Sequence, residues 1–391
     1  MIACYAWSNL QIINVTNAAA NLYPDSKADL FIRMGPHISQ SLIAALERSG
    51  IYEHVHCIDP LYIDCKKTPL GKIPKVRILA SKSALRKAYG ALLGHLCGET
   101  VYERALLPWF FADSVFFLDY WAKYNKNLAI SFVEEGTSSY SYSQKQMCFS
   151  LFNAPTLAHK LMRYFKEGAL MRKFKHHVDT LCLYRPEYCQ PDITFEKRAL
   201  PTITEATNPA MYSIMCNAVA ELDNTHYIRY EKRNIIYFSS YSIADPEFER
   251  QSSSILHSIV RSAFNKNIIC KVHTHSTTHA QTFAEDVQDR IFVDREKYIF
   301  EGLYMQLPNR EKKVFVSCVS TTALNTKFMF GVEPYVIFTY RLYSGYRQNA
   351  VTGDDWLANS LLDAYEDKSR VMIPNSVHEF EEMLKSCIRS N

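Results

Sequence analysis

The sequence predicts an α/β protein of two doubly wound domains facing a cleft, and three observations carry that prediction. Short apolar runs rich in β-branched residues alternate with helical patterns along all 391 residues. Runs that are apolar throughout fit parallel strands buried on both faces. The chain has room for two domains at about 150 residues each. Between residues 185 and 234 a proline-rich passage separates one strand–helix series from the next. The composition is globular, with 48% hydrophobic and 21% charged residues. With only 12 glycines and 15 prolines, collagen-like and low-complexity chains are excluded.

The elements follow in order. Strand candidates in the first half are 30–32, 55–58, 115–118, 128–133 and 178–183. The second half offers 235–239, 268–272, 291–293, 314–319 and 335–338. Asp245 followed by Pro246 reads as an N-cap and first helical position. Ser376 and Glu379 form a capping box that opens the last helix. A helical stretch at 210–222 precedes the strand NIIYFSS, so the reading assigns 1–230 to a first domain with its linker and 231–391 to a second.

The formal charge, 44 − 40 = +4, is too mild to mark a nucleic-acid binder. Eleven scattered cysteines include no CxxC pair, and several sit in apolar runs, which suggests a reducing, cytoplasmic setting. The opening lacks the basic start and clean apolar core of a signal peptide. No run of 18 apolar residues occurs, so a soluble protein is expected.

Doubly wound folds bind ligands at the carboxyl ends of their strands, so chemistry is sought there. LAISFV ends in Glu134, Glu135 and Gly136. Two adjacent carboxylates at a buried strand end suit a general base with raised pKa, or a helix N-terminus that acids complement. IIC ends in Lys271, with His273, His275 and His279 following. Their spacing matches no zinc motif, whereas one histidine at a strand end can serve a phosphate or act as a general acid. VFVSCV ends in Ser320, Thr321 and Thr322, which form an anion site at a helix N-terminus or simply cap it. Glu301, the single acid in an otherwise apolar helix, is either an exposed helix residue or an acceptor of ribose hydroxyls.

The acid-acid-glycine triplet at 134–136, the Lys-x-His segment at 271–273, Phe300-Glu301 before a Leu-Pro, and Ser320-Thr321 occur in that order. In this they resemble the bacterial lipooligosaccharide sialyltransferases and capsular polysialyltransferases, and IACYAWSNLQIINVTNAA is similar to that group's first strand and helix. The resemblance spans roughly residues 1–340. It implies two Rossmann-like domains of the GT-B type and an inverting, metal-independent transfer from a CMP-activated nonulosonic acid. It implies Glu134 as the general base, with Glu135 and Gly136 completing the motif. His273 is implied to act on the departing CMP phosphate, Ser320, Thr321 and Thr322 to hold it, and Glu301 to take the ribose. Lys271 goes with the donor site. The family's histidine is followed by proline, whereas Thr274 follows His273 here.

Residues 160–177, KLMRYFKEGALMRKFKHH, form a basic amphipathic segment that fits an anionic membrane surface or an acidic glycan, or a solvated face. Expected partners are thus a CMP-nonulosonate donor and an oligosaccharide or glycolipid acceptor, with no nucleic acid. A CMP-Kdo or CDP-alditol transferase of the same architecture is the neighbouring reading, and a non-catalytic glycan-binding protein the one from another class.

Overall fold

The computed structural model describes residues 1–36, 38–61, 74–110, 113–144, 147, 168–239, 246–263, 268–272, 291–296, 298–344 and 353–390. The chain folds as two compact units, Met1–Pro201 and Thr202–Asn391.

The first unit runs β1 (Ile2–Ala6), α1 (Asn9–Leu22), β2 (Ala28–Arg33), α2 (Gln40–Arg48), β3 (His54–Ile58), α3 (Pro74–Leu96) and β4 (Arg104–Leu107). It continues through α4 (Ser114–Trp121), β5 (Ala129–Val133), α5 (Ser138–Ser141), α6 (Gly168–Phe174), β6 (Val178–Leu183) and β7 (Glu196–Ala199). The sheet order is β3-β2-β1-β4-β5-β6-β7, with every pair parallel. The winding reverses between β1 and β4, which makes their carboxyl ends the topological switch point. Every residue of β1 is buried, as a central strand covered on both faces requires. Ser8 caps α1, its hydroxyl accepting from Gln11 N at 3.3 Å. Phe31, Tyr102, Phe117 and Trp121 stack into one aromatic core on α4.

One expectation changes here. The run at 115–118, read as a strand, lies inside α4, a helix buried on all sides, and a short wholly apolar run does not distinguish the two. The strand of this region is instead β4, only four residues long and opened by Arg104, which pairs with Asp179. The edge strand β7 reads EKRA, charges that protect an open edge.

The second unit runs α7 (Pro209–Asn217), α8 (Asn224–Glu231), β8 (Ile235–Phe238), α9 (Pro246–Ser262), β9 (Ile268–Lys271), β10 (Ile291–Asp294) and α10 (Phe300–Gln306). Then come β11 (Val314–Ser317), α11 (Thr321–Phe328), β12 (Tyr335–Phe338), α12 (Gly353–Ala364), β13 (Val371–Met372) and α13 (Val377–Ser390). Its sheet is parallel in the order β10-β9-β8-β11-β12-β13, with the switch point between β8 and β11. Glu379 N donates to Ser376 Oγ at 3.2 Å as the capping box predicts, while the Glu379 carboxylate takes Asn375 N instead of Ser376 N.

The units divide at Pro201, not at residue 230. Helices α7 and α8 belong to the second unit for packing reasons that composition does not reveal. A Cβ on Gly302 of α10 would meet the Met215 carbonyl of α7 at 2.7 Å, so α7 seats on α10 through a bare backbone. The wholly buried Lys313 donates to the carbonyls of Tyr230, Glu231 and Arg233 at 2.7, 3.1 and 2.8 Å, closing the C-terminal end of α8. A cation belongs there, against the negative end of the helix dipole.

Candidate active site

In the first unit the acid triplet leaves the carboxyl end of β5. Extended neighbours point opposite ways, and the two acids do so with opposite consequences. Glu134 turns inward and is 1% exposed. Its Oε2 accepts from the Tyr140 hydroxyl and from Tyr184 N, the latter at 2.9 Å. Asn14 Nδ2 of α1 donates to the Glu134 carbonyl at 2.9 Å, and the Tyr184 hydroxyl donates to Asn14 Oδ1 at 3.0 Å. Glu135 turns outward and is half-buried. Its Oε2 accepts from Ser138 Oγ at 2.6 Å, and its N–H donates to Ser139 Oγ at 2.9 Å. Gln11, in the first turn of α1, also bonds its carboxylate. Burial pushes both acids up to about 7, against the opposing bonds from Tyr140 and Tyr184 to one and Ser138 and Gln11 to the other. Gly136 has φ +134°, which L side chains rarely adopt, so this glycine serves the turn into α5.

In the second unit α11 begins four residues past the end of β11, with Ser320 as its N-cap, and Thr322 N donates to Ser320 Oγ at 3.2 Å. Ser320, Thr321 and Thr322 are all half-buried, at the switch point of this sheet. Glu301 is buried, and its Oε1 accepts from Asn325 Nδ2 at 2.8 Å. Burial raises its pKa, opposed by Asn325 and the Thr322 side chain. Glu301, Thr322 and Asn325 therefore tie α10 to the first turns of α11. Four expected donor residues meet at this one place.

Lys271 is engaged elsewhere. It is buried at the end of β9, with Nζ 3.1 Å from Asp294 Oδ2. Asp294 also accepts from the Tyr230 and Tyr298 hydroxyls at 2.6 Å each, and His226 Nε2 lies 3.2 Å away. Burial alone raises Asp294; His226, Lys271, Tyr230 and Tyr298 overcome it and hold the carboxyl well below its usual range. Burial lowers Lys271 in turn. This ammonium neutralises a buried acid, which accounts for a lysine at the strand end without a ligand.

His273, His275 and His279 lie outside the described residues, as do residues 160–167 of the basic segment. In α6 that segment continues with Lys173, whose Nζ lies 3.3 Å from Asp119 Oδ1. No helix among the described residues is long and apolar enough to cross a membrane. The reading from sequence did not find Asn14, Tyr140, Tyr184 or Asn325. The available signal was Asn14 and Asn17 inside an otherwise buried helix, since buried amides need partners. Asn14 also opens a glycosylation sequon, and at 1% exposure it is no acceptor in the folded chain.

The sheets of this chain are two Rossmann-like doubly wound units, the domain content of the GT-B class. No protein-family model matches the chain, and no curated protein matches its sequence. Solved structures similar to it include the S. aureus MnaA–UDP co-structure, at 10% identity over 98% of this chain and 90% of that one, TM-score 0.49. Os79 from O. sativa in complex with UDP and deoxynivalenol-3-glucoside is 8% identical over 99% and 90%, TM-score 0.48. The Methanocaldococcus jannaschii UDP-GlcNAc 2-epimerase in complex with UDP-GlcNAc and UDP is 7% identical over 100% and 93%, TM-score 0.48.

Proposed function

We propose that the chain is an inverting, metal-independent glycosyltransferase that moves sialic acid, or a related nonulosonic acid, from its CMP-activated form to a hydroxyl of a bacterial surface glycan. The observation that carries the reading is Glu135, a carboxylate at a strand's carboxyl end that is buried enough to have its pKa pushed up to about 7 and yet keeps some exposure to solvent. A base poised near the working pH is what deprotonation of a hydroxyl needs.

The reading gives Glu135 the acceptor proton and makes Glu134 its positioning neighbour, because Glu134 is 1% exposed and already holds Tyr140 and Tyr184 N. The choice drawn from the resemblance is thereby reversed between adjacent acids. The deprotonated acceptor oxygen forms a bond to the anomeric carbon as that carbon's bond to the CMP phosphate breaks, and the electron pair leaves with the phosphate. In this reading the first-turn N–H groups of α11 and the hydroxyls of Ser320, Thr321 and Thr322 take the phosphate. Glu301 receives the ribose, and His273 the charge of the leaving group. Anchoring to an acidic surface through 160–177 belongs to the same proposal.

The test is turnover of CMP-sialic acid with a panel of glycan acceptors in EDTA. Product with inverted anomeric configuration supports the reading; turnover only with CMP-Kdo, CDP-alditols or UDP-sugars moves the donor elsewhere. Failure to bind any nucleotide leaves a glycan-binding protein.

A further inference from the structure

We propose that the edge of the first sheet carries a zinc site made by Asp29, His54 and His56, a device separate from the transfer chemistry. The register of β2 and β3 sets Asp29 opposite His54 and Phe31 opposite His56. Residues two apart on a strand share a face, so both imidazoles and the carboxylate lie on the same side of the sheet. One ligand atom from each of the three lies within 4.8 Å of the others. His54 Nδ1 is already 3.0 Å from Asp29 Oδ1. Two ligands of a tetrahedral zinc with bonds of about 2.0–2.1 Å stand about 3.3 Å apart, so this pair is near its bound separation.

Two further features point to an ion and not to a plain His–Asp bond. The Nε2 of His56 is buried and has no hydrogen-bond partner among the described residues. A buried imidazole nitrogen left unsatisfied is costly unless something fills it. Asp29 is 2% exposed, and its other oxygen is fixed by the Tyr102 hydroxyl at 2.6 Å. An oriented carboxylate with an outer hydrogen bond is the support that metal ligands ordinarily have. His56 also stacks on Phe31, with ring centroids 4.8 Å apart. Two imidazoles and one carboxylate suit Zn²⁺ over Mg²⁺ or Ca²⁺, and three protein ligands leave a fourth position for water.

The site sits at the amino-terminal ends of β2 and β3, the opposite end of the sheet from Glu135. β3 is an edge strand, and only its last residue is buried. An ion bonded to both strands staples that edge and stabilises the fold by mass action, since the unfolded chain holds no preformed site.

The experiment uses the full chain, stripped with chelator, dialysed, and titrated with Zn²⁺ by calorimetry in reducing buffer, alongside His56→Ala, His54→Ala and the double variant. The expected result is one tight Zn²⁺ per chain, at least tenfold weaker in each single variant and lost in the double, together with a Zn²⁺-dependent rise in Tm that the double variant lacks. His54→Ala alone keeps the test sharp should the double variant fold poorly, because that side chain is 64% exposed and little packing depends on it. Absence of tight Zn²⁺ binding, or binding undiminished in His54→Ala, overturns the proposal.

Discussion

Glu134 and Glu135 show how far burial direction, and not residue type, decides what a carboxylate can reach. Both carboxyls are pushed up to about 7, yet only one reaches solvent. Glu135→Gln is therefore expected to lower kcat by about 10²–10⁴-fold, the usual weight of a general base, with nucleotide binding retained. Glu134→Gln keeps an oxygen for Tyr140 and Tyr184 N and is expected to cost far less; the opposite ranking in initial-rate assays returns the base role to Glu134. On the proposed transfer, kcat/KM of the unaltered chain is expected to fall as pH drops through about 7, where Glu135 protonates. Stability runs the other way for Glu134. Its folded pKa lies above the unfolded value, so the protonated acid favours the fold below about 4, and that contribution disappears as pH rises through 7. A shift from 4.5 to about 7 corresponds to roughly 3 kcal/mol. Urea unfolding at pH 5 and pH 8 should show a loss in the wild type that Glu134→Gln reduces but does not abolish, since Glu135, raised to about 7 as well, supplies a second share; equal slopes for both proteins contradict the assignment of this shift to Glu134.

At the scale of elements, what was legible in the sequence was what one local pattern determines. Strands such as β6, β8, β9 and β12 are short apolar runs buried along most of their length, and the sequence places them within a residue or so. The helix caps at Ser320 and Ser376 were legible for the same reason, since a hydroxyl and the N–H two or three residues on suffice. α4 was not, because SVFFLDYW has no polar face to reveal its period. The choice between Glu134 and Glu135 was not either, because it depends on Tyr184, just past β6, and Asn14 from α1, far away along the chain. The domain boundary failed on Gly302, whose missing Cβ lets α7 dock. Gly302→Ala forces that methyl against a carbonyl and is expected to destabilise the second unit by about 1–3 kcal/mol, as overpacking does. A denaturation midpoint unchanged from wild type removes the docking argument. Ser320→Ala is expected to cost about 1 kcal/mol through the lost cap and also to weaken CMP binding, whereas Ser320→Asn restores the cap. Full CMP affinity in the alanine variant separates capping from phosphate binding and assigns the serine to the former alone.

At the scale of the whole molecule, two units with separate sheets and separate cores make the donor assignment testable without any acceptor. The groups expected to hold CMP, from Glu301 to Thr322, all belong to Thr202–Asn391, and none of the acid network of Glu134 does. A ligand confined to one folded unit stabilises that unit by mass action, about 2.7 kcal/mol at a hundred times its Kd. CMP in EDTA is therefore expected to raise an unfolding transition belonging to the second unit and to slow amide exchange around β11 and α11. Exchange in β1 and β5 should stay as it was, because opening energies are properties of local cooperative units. Protection by UDP but not CMP keeps the unit and changes the base. Protection by CMP concentrated in the first unit instead reverses the division of labour between donor and acceptor, and with it the roles given to Ser320 and Glu301.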